Sequence, residues 1–147
     1  MVSRFERFSF AISEIYRYWH KIAADEMEKH GLKGPYSVYF TTMYRYPDGL
    51  TSAQLAEICS RDKSDVSRAI ALMEKRALVV KEGASYRALL KLTEEGKKVA
   101  EFINERAGHA VDLGGKGLSE ENRALFYETL ELIVSNLQTI SQEGLPK

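Results

Sequence analysis

The segment LTSAQLAEICSRDKSDVSRAIALMEKRAL, residues 50–78, constrains the fold of this chain more than any other stretch. Its first part has the apolar spacing of a buried helical face, carried by Leu50, Gln54, Leu55 and Ile58. Thr51 stands three residues before Gln54, which is the spacing of a capping box at a helix start. The apolar period breaks at Ser60. We therefore predict two short helices that meet at a tight corner.

The second helix is expected to begin after Asp62. Its inward face carries Val66, Ile70 and Met73, together with Leu72. The opposite face presents Lys63, Ser64, Ser67, Arg68 and Ala71. Short hydroxyls, one arginine and a small alanine near a helix N-terminus suit a helix that enters a DNA groove and contacts base edges.

A β-hairpin is predicted after these two helices. One strand spans 78–81, a turn follows over 82–85, and the returning strand spans 86–92. In the returning strand Ala88, Leu90 and Leu92 alternate with Arg87, Leu89 and Lys91, as in a hairpin with one packed face. Thr93 is expected to cap the next helix, with two glutamates in its first turn.

Two motifs carry a family resemblance: DKSDVSRAIALMEKRALV at 62–79 and LTEEGK at 92–97. In them the chain strongly resembles the MarR family of winged helix-turn-helix transcriptional regulators. The flanking helices extend that resemblance over nearly the whole chain. It implies a single domain, with a DNA-binding winged-helix lobe at about 35–95 and dimerisation helices at about 1–34 and 96–147.

The overall prediction is a mainly α fold with six helices and one hairpin, the wing. Apolar helices at both ends, the first over about 3–29, cannot all be buried in a monomer of 147 residues. A second apolar stripe on the first helix, through Phe10, Tyr16 and Tyr18, points the same way. We therefore expect a homodimer, which would place two recognition helices roughly 34 Å apart on a near-palindromic operator.

Charge is distributed unevenly along the chain. The formal net charge is zero, with 21 basic and 21 acidic residues, which excludes a basic nucleic-acid coat. Residues 61–91 nevertheless hold eight basic and four acidic residues, a local net charge of +4. Attraction to DNA is thus expected in the centre of the sequence.

Other functional classes find little support in the sequence. A single cysteine, Cys59, is expected to be a buried thiol in a cytoplasmic protein. The three histidines, His20, His30 and His109, are too widely spaced for a metal site. No nucleophile and base set, phosphate loop, cofactor motif, signal peptide or membrane span emerges, so we expect neither an enzyme nor a membrane protein.

The candidate DNA contacts are Thr51, Ser52, Gln54, Lys63, Ser64, Asp65, Ser67, Arg68, Lys81 and Arg87. Arg68 can contact guanine, with about 1–3 kcal/mol of discrimination, clamp a phosphate, or pair with Asp65 or Glu74. Lys63 is expected to contact a phosphate. Thr51, Ser52 and Gln54, at the start of the first motif helix, are expected to contact backbone phosphates as well. Asp65 either accepts a hydrogen bond from cytosine or stabilises its helix through the dipole.

Two positions depart from the family pattern. Many relatives carry an Asp-x-Arg at the wing tip, whereas residues 83–87 here read Gly-Ala-Ser-Tyr-Arg. Arg87 is expected to take over the minor-groove contact, assisted by Lys81 on a phosphate. Ala77 replaces a glycine common at the exit of the recognition helix, and a left-handed conformation there would cost about 1 kcal/mol.

The resemblance also implies an effector pocket between the dimerisation helices and the DNA-binding lobe. Candidates for binding a small aromatic or phenolic effector are Tyr16, Trp19, His20, Tyr36, Tyr39, Phe40 and Tyr44, with core packing as the alternative for each. The predicted function is a dimeric repressor of double-stranded DNA that such an effector releases. The alternative is a winged-helix module used only for protein contact.

Overall fold

The computed structural model describes residues 1–84 and 87–147. Over these residues it contains six α-helices and one antiparallel hairpin, which confirms the predicted fold class. Their order is α1 (Arg4–Glu28), α2 (Ser37–Arg45), α3 (Ser52–Cys59), α4 (Lys63–Lys75), β1 (Val79–Glu82), β2 (Leu89–Leu92), α5 (Glu94–Gly114) and α6 (Glu120–Glu143). The chain forms two compact units, Met1–Gly108 and His109–Lys147.

Hydroxyl side chains set the starts of four helices. Ser3, Thr51, Thr93 and Ser119 each accept a hydrogen bond of 3.1–3.2 Å from the backbone N–H three residues later. At α1 and α3 the bond is reciprocated, because the third residue's side chain accepts from the cap backbone. These caps use helix N–H groups that would otherwise lack a partner.

The core of the first unit joins α2, α3, α4 and the hairpin. Its fully buried side chains include Tyr39, Phe40, Leu55, Val66, Ile70, Met73 and Leu90. The predicted inward face of α4 is therefore confirmed. On α3 the predicted buried face was wrong for Gln54, which is exposed, and for Ile58, which is 41% exposed. The inward face of this short helix is centred on Leu55, Ala56 and Cys59 instead, and Ile58 lies about a quarter turn away.

The two strands of the hairpin differ in extent from the predicted ones: β1 begins and ends one residue later, and β2 begins three residues later. β1 pairs with β2 from Val79 opposite Leu92 to Glu82 opposite Leu89. Leu50 forms an isolated bridge to Leu90, with N···O distances of 3.2 and 2.7 Å. Leu50 thus lies outside α3 and extends the small sheet. Ser85 and Tyr86, which the prediction placed in the turn and returning strand, lie outside the described residues.

Large apolar surfaces remain exposed on helices of both units. In the first unit α1 exposes Phe5, Phe8, Phe10, Ile12, Ile15, Tyr16, Tyr18, Trp19 and Ile22, each by 40% or more. In the second unit no residue of α6 is buried, and Leu125, Phe126, Leu132, Val134 and Leu137 are exposed. Within 1–84 and 87–147, no helix combines the length and apolar character needed to cross a bilayer.

Candidate nucleic-acid interface

The corner between α3 and α4 is formed by a left-handed residue. Ser60 adopts φ 51° and ψ 49°, and its N–H donates to the carbonyl oxygens of Ala56 and Glu57. Arg61 N–H also donates to Ala56 O, at 2.9 Å. Asp62 then returns to extended backbone and starts α4. These bonds satisfy the last carbonyls of α3 and turn the chain sharply enough to form a helix-turn-helix.

The outward face of α4 carries polar and basic side chains. Lys63, Ser64, Ser67 and Arg68 are all exposed, while Val66 and Ala69 on the opposite face are fully buried. Within the described part of the chain, Lys63 has no ion-pair partner. The side chain of Arg68 is 69% exposed. This face can therefore meet a ligand without unfolding any core contact.

A concavity of about 460 Å³ joins α4 to the start of α3 and to the hairpin. Its polar lining consists of Ser52, Lys63, Ser67 and Lys81. Two ammonium groups beside two hydroxyls, next to the N-terminus of α3, form an environment suited to an anionic group such as a backbone phosphate. Lys81 also pairs with Glu74 at 3.3 Å, which holds it near α4.

Asp65 is turned partly inward rather than fully outward. Its Oδ2 accepts a hydrogen bond from the hydroxyl of Tyr39, a fully buried residue of α2. Its Oδ1 lies 3.7 Å from Arg68 Nη2. Burial, reinforced by the hydrogen bond to Asp65, raises the pKa of the Tyr39 phenol, and the nearby positive charge of Arg61 partly opposes this. Sequence reasoning missed this contact because the two residues are 26 positions apart.

The remaining predicted DNA contacts differ in how available their side chains are. Thr51 and Gln54 bond to each other across the α3 capping box, at 3.2 and 2.9 Å. Ser52 is half-buried in the concavity. Arg87 is exposed just before β2 and directly follows residues 85–86, which lie outside the described chain.

The exit of the recognition helix is fixed by contacts that only the structure reveals. Ala77 adopts φ 57°, the left-handed conformation that glycine accepts more readily. Its carbonyl accepts a 2.6 Å hydrogen bond from Thr93 Oγ1, which ties this turn to the start of α5. Arg76 Nη1 donates to the His30 carbonyl at 3.0 Å. The C-terminal end of α4 is thus bonded to the segment between α1 and α2.

The seven aromatic and histidine candidates for an effector pocket do not share one environment. Tyr36, Tyr39 and Phe40 belong to the buried core. On α1, Tyr16 stacks on His20 with ring centroids 3.9 Å apart, and Trp19 is 40% exposed. Tyr44 is exposed and donates to Glu101 Oε1 at 3.1 Å, which raises its pKa. The structure therefore separates a buried group from a surface group.

The cysteine and two of the histidines lie in separate environments. Cys59 is half-buried, with its Sγ 3.4 Å from Thr42 Oγ1. His30 packs edge-on against Phe102, with ring centroids 4.6 Å apart. Across the described ranges, no group of three or more His, Cys, Asp or Glu side chains converges as a metal site.

This arrangement of a helix-turn-helix followed by a hairpin defines a winged-helix protein. Residues 30–86 match the model of the MarR family, which confirms the resemblance seen in the sequence. The matched segment begins just after α1 and includes α2, α3, α4 and β1, so the similarity to the MarR family lies in the winged helix. MarR-family proteins are transcription regulators. No curated protein matches the sequence.

Solved structures with the same fold cover nearly the whole chain. A MarR transcriptional regulator from Methanosarcina mazei is 23% identical, with a TM-score of 0.82 over 95% of this chain and 94% of that one. MepR of Staphylococcus aureus in a DNA complex is 20% identical, with a TM-score of 0.78 over 88% and 97%. A putative MarR-family regulator from Listeria monocytogenes complexed with 26mer DNA is 21% identical, with a TM-score of 0.75 over 100% and 99%.

Proposed function

We propose that this chain is a cytoplasmic, sequence-specific DNA-binding transcriptional regulator that represses from a near-palindromic operator. The observation that carries the proposal is the exposed face of α4, where Lys63, Ser64, Ser67 and Arg68 lie opposite a fully buried inner face. Arg68 reads a base edge and the concavity with Lys63 holds a phosphate. The DNA complexes of MepR and of the Listeria regulator support this assignment by similarity of fold.

The proposed active form is a homodimer. Apolar side chains on α1 and α6 are exposed in numbers unusual for a monomer, and a second copy would cover them. Under this proposal, residues of about 35–95 bind DNA, and residues of about 1–34 and 96–147 form the dimer interface. Two recognition helices would then contact successive major grooves roughly 34 Å apart.

We place the contact for a small aromatic or phenolic effector at Tyr16, Trp19 and His20. These side chains are accessible on α1, whereas Tyr36, Tyr39 and Phe40 are already packed in the core. An effector can release DNA only if it binds more tightly to the state that cannot bind DNA. Trp19 is the only tryptophan, so its fluorescence reports binding directly. Phenolic acids that quench Trp19 but leave operator affinity unchanged would argue against effector release.

DNA selection from a random library tests the proposal as a whole. We expect the wild type to enrich a near-palindrome, and Arg68→Ala to abolish the enrichment while keeping weak, salt-sensitive binding. Arg17→Ala is the control, since it removes an exposed arginine from α1, outside the winged helix. Weak binding without an enriched motif, equal in all three proteins, would exclude sequence-specific regulation and favour a protein-interaction module.

A further inference from the structure

Asp65 connects the buried core to the arginine proposed to read DNA. One of its carboxylate oxygens accepts from the Tyr39 hydroxyl, and the other lies 3.7 Å from Arg68 Nη2. The Asp65 side chain is 32% exposed and that of Arg68 is 69% exposed, whereas Tyr39 is fully buried. A continuous path of polar contacts therefore runs from α2 through Asp65 to the outward face of α4.

The helix dipole alone does not account for this geometry. An acidic residue in the first turn of a helix is stabilised whichever way its carboxylate points. Here the carboxylate of Asp65 is oriented because it accepts a hydrogen bond from the Tyr39 hydroxyl. A hydrogen bond to a carboxylate is stronger than one between two neutral groups. Tyr39 also gains, because a buried hydroxyl without a partner would be destabilising. Each partner thus restricts the position of the other.

Asp65 and Arg68 are three residues apart on one helix, so their side chains are neighbours on its surface. A guanidinium held by a fixed carboxylate has fewer orientations to lose when it meets a base. Its planar fork must also be aligned for a bidentate contact, which makes orientation matter more than charge. A fixed Asp65 is therefore expected to favour one orientation of Arg68.

We propose that Tyr39 and Asp65 are positioning residues that preset Arg68, so that the choice of base depends on a buried hydroxyl of α2. This inference rests on the proposed function, because it assigns a specificity role within the same DNA-binding face. Tyr39 never touches DNA in this scheme. Its effect reaches the base only through Asp65 and Arg68.

The test compares Tyr39→Phe, which removes only the hydroxyl, with Tyr36→Phe, which makes the same change on a neighbouring buried ring 6.1 Å away. The first readout is the ratio of affinities for the selected operator and for random DNA of the same length. We expect Tyr39→Phe to lower this ratio roughly tenfold, the scale of one charge-assisted hydrogen bond. Affinity for random DNA and its salt dependence should stay as in the wild type.

Asp65→Asn is the second variant and covers the case in which Tyr39→Phe fails to fold. An asparagine oxygen can still accept from Tyr39, but the charge facing Arg68 is gone. We expect a loss of discrimination in the same direction. Equal losses of affinity for the operator and for random DNA would overturn the proposal. They would show that the Tyr39–Asp65 contact fixes the position of the whole helix α4 and not the orientation of Arg68.

A second readout needs no DNA. The side-chain Nε–H signal of Arg68 in the free protein reports its order by NMR relaxation. We expect greater mobility of Arg68 in Tyr39→Phe than in the wild type or Tyr36→Phe. If the wild type proves not to bind DNA specifically, this measurement still decides the positioning role. If the order of Arg68 is unchanged in Tyr39→Phe, the positioning role is wrong, and the Tyr39–Asp65 hydrogen bond serves only to stabilise the core.

Discussion

Gly96 lies directly against the backbone carbonyl of Leu78. A Cβ added at Gly96 would stand 2.0 Å from that oxygen, far inside any permitted contact. The same carbonyl accepts from Thr93 N–H at 3.0 Å, and Thr93 Oγ1 accepts from Gly96 N–H at 3.1 Å. The LTEEG motif therefore anchors the start of α5 to the turn between α4 and β1. Its glycine is required by the close approach.

We expect Gly96→Ala to lower the free energy of unfolding by about 1–3 kcal/mol, because the added methyl forces the two segments apart. Urea unfolding followed by circular dichroism measures the change. Gly108→Ala is the matched control, since no described atom other than its chain neighbours and the backbone of its own helix lies within 4 Å of a Cβ there. That variant should gain up to about 1 kcal/mol from helix propensity. Equal effects of the two substitutions would contradict the proposed packing role.

Ala77→Gly should stabilise the protein by about 1 kcal/mol, because the residue adopts φ 57°, where a Cβ is unfavourable. The same measurement applies. Ala71→Gly, on the exposed face of regular helix α4, is the control and should destabilise by roughly 0.5–1 kcal/mol. A loss of stability in both variants would mean that the left-handed turn tolerates alanine without strain.

Lys63→Gln should weaken binding to all DNA sequences alike, because we assign Lys63 to a phosphate in the concavity shared with Lys81. The slope of log affinity against log salt should fall by about one for each phosphate that the variant no longer neutralises. Lys21→Gln removes a charge from α1, where Lys21 pairs with Asp25 at 2.8 Å, and should leave the slope unchanged. A Lys63 effect confined to one base position would instead indicate base reading.

Leu137→Asp should convert the proposed dimer into monomers, because Leu137 is 47% exposed within the apolar stripe of α6 and a carboxylate buried at the proposed interface would lack a partner. Sedimentation velocity over a range of concentrations measures this. Ser135→Asp introduces the same group two residues away, on the other side of the helix, and should remain dimeric. A monomeric wild type would remove the basis for a two-fold operator.

Tyr39 should make the free energy of unfolding fall with rising pH in the alkaline range. Its pKa is raised by burial and by the bond to Asp65, so the folded state keeps the phenolic proton more tightly than the unfolded chain. The protonated phenol of Tyr39 contributes fully to the free energy of unfolding below the ordinary tyrosine pKa of about 10, and this contribution is lost as pH rises above that value. The difference in unfolding free energy between wild type and Tyr39→Phe should therefore shrink above about pH 10. Parallel pH curves would contradict this.

Most of the fold could be predicted because it depends on local patterns. The caps at Thr51 and Thr93 and the period of α4 are visible within a few residues of sequence. The prediction that Ile58 is buried was wrong because α3 is too short for the apolar spacing to locate its inward face. Leu50 fits a helical pattern but pairs with Leu90, forty residues away, and such pairings leave no local trace.

The candidate site was predictable only in part. Exposure of the α4 residues follows from helical geometry, so their availability could be inferred. The orientation of Asp65 could not, because it depends on where α2 delivers the Tyr39 hydroxyl. The aromatic candidates illustrate the same limit. An abundance of rings on α1 and α2 does not reveal which ones fill the core and which ones stay accessible.

The Leu50–Leu90 bridge closes the helix-turn-helix and the hairpin into one loop with hydrogen-bonded ends. The two backbone bonds join the residue that precedes α3 to a residue of β2. Residues 50–90 therefore enter and leave the rest of the fold at almost the same point. Because backbone bonds hold both ends of this segment together, a change in the length of the hairpin between β1 and β2 would leave the start of α3 in place.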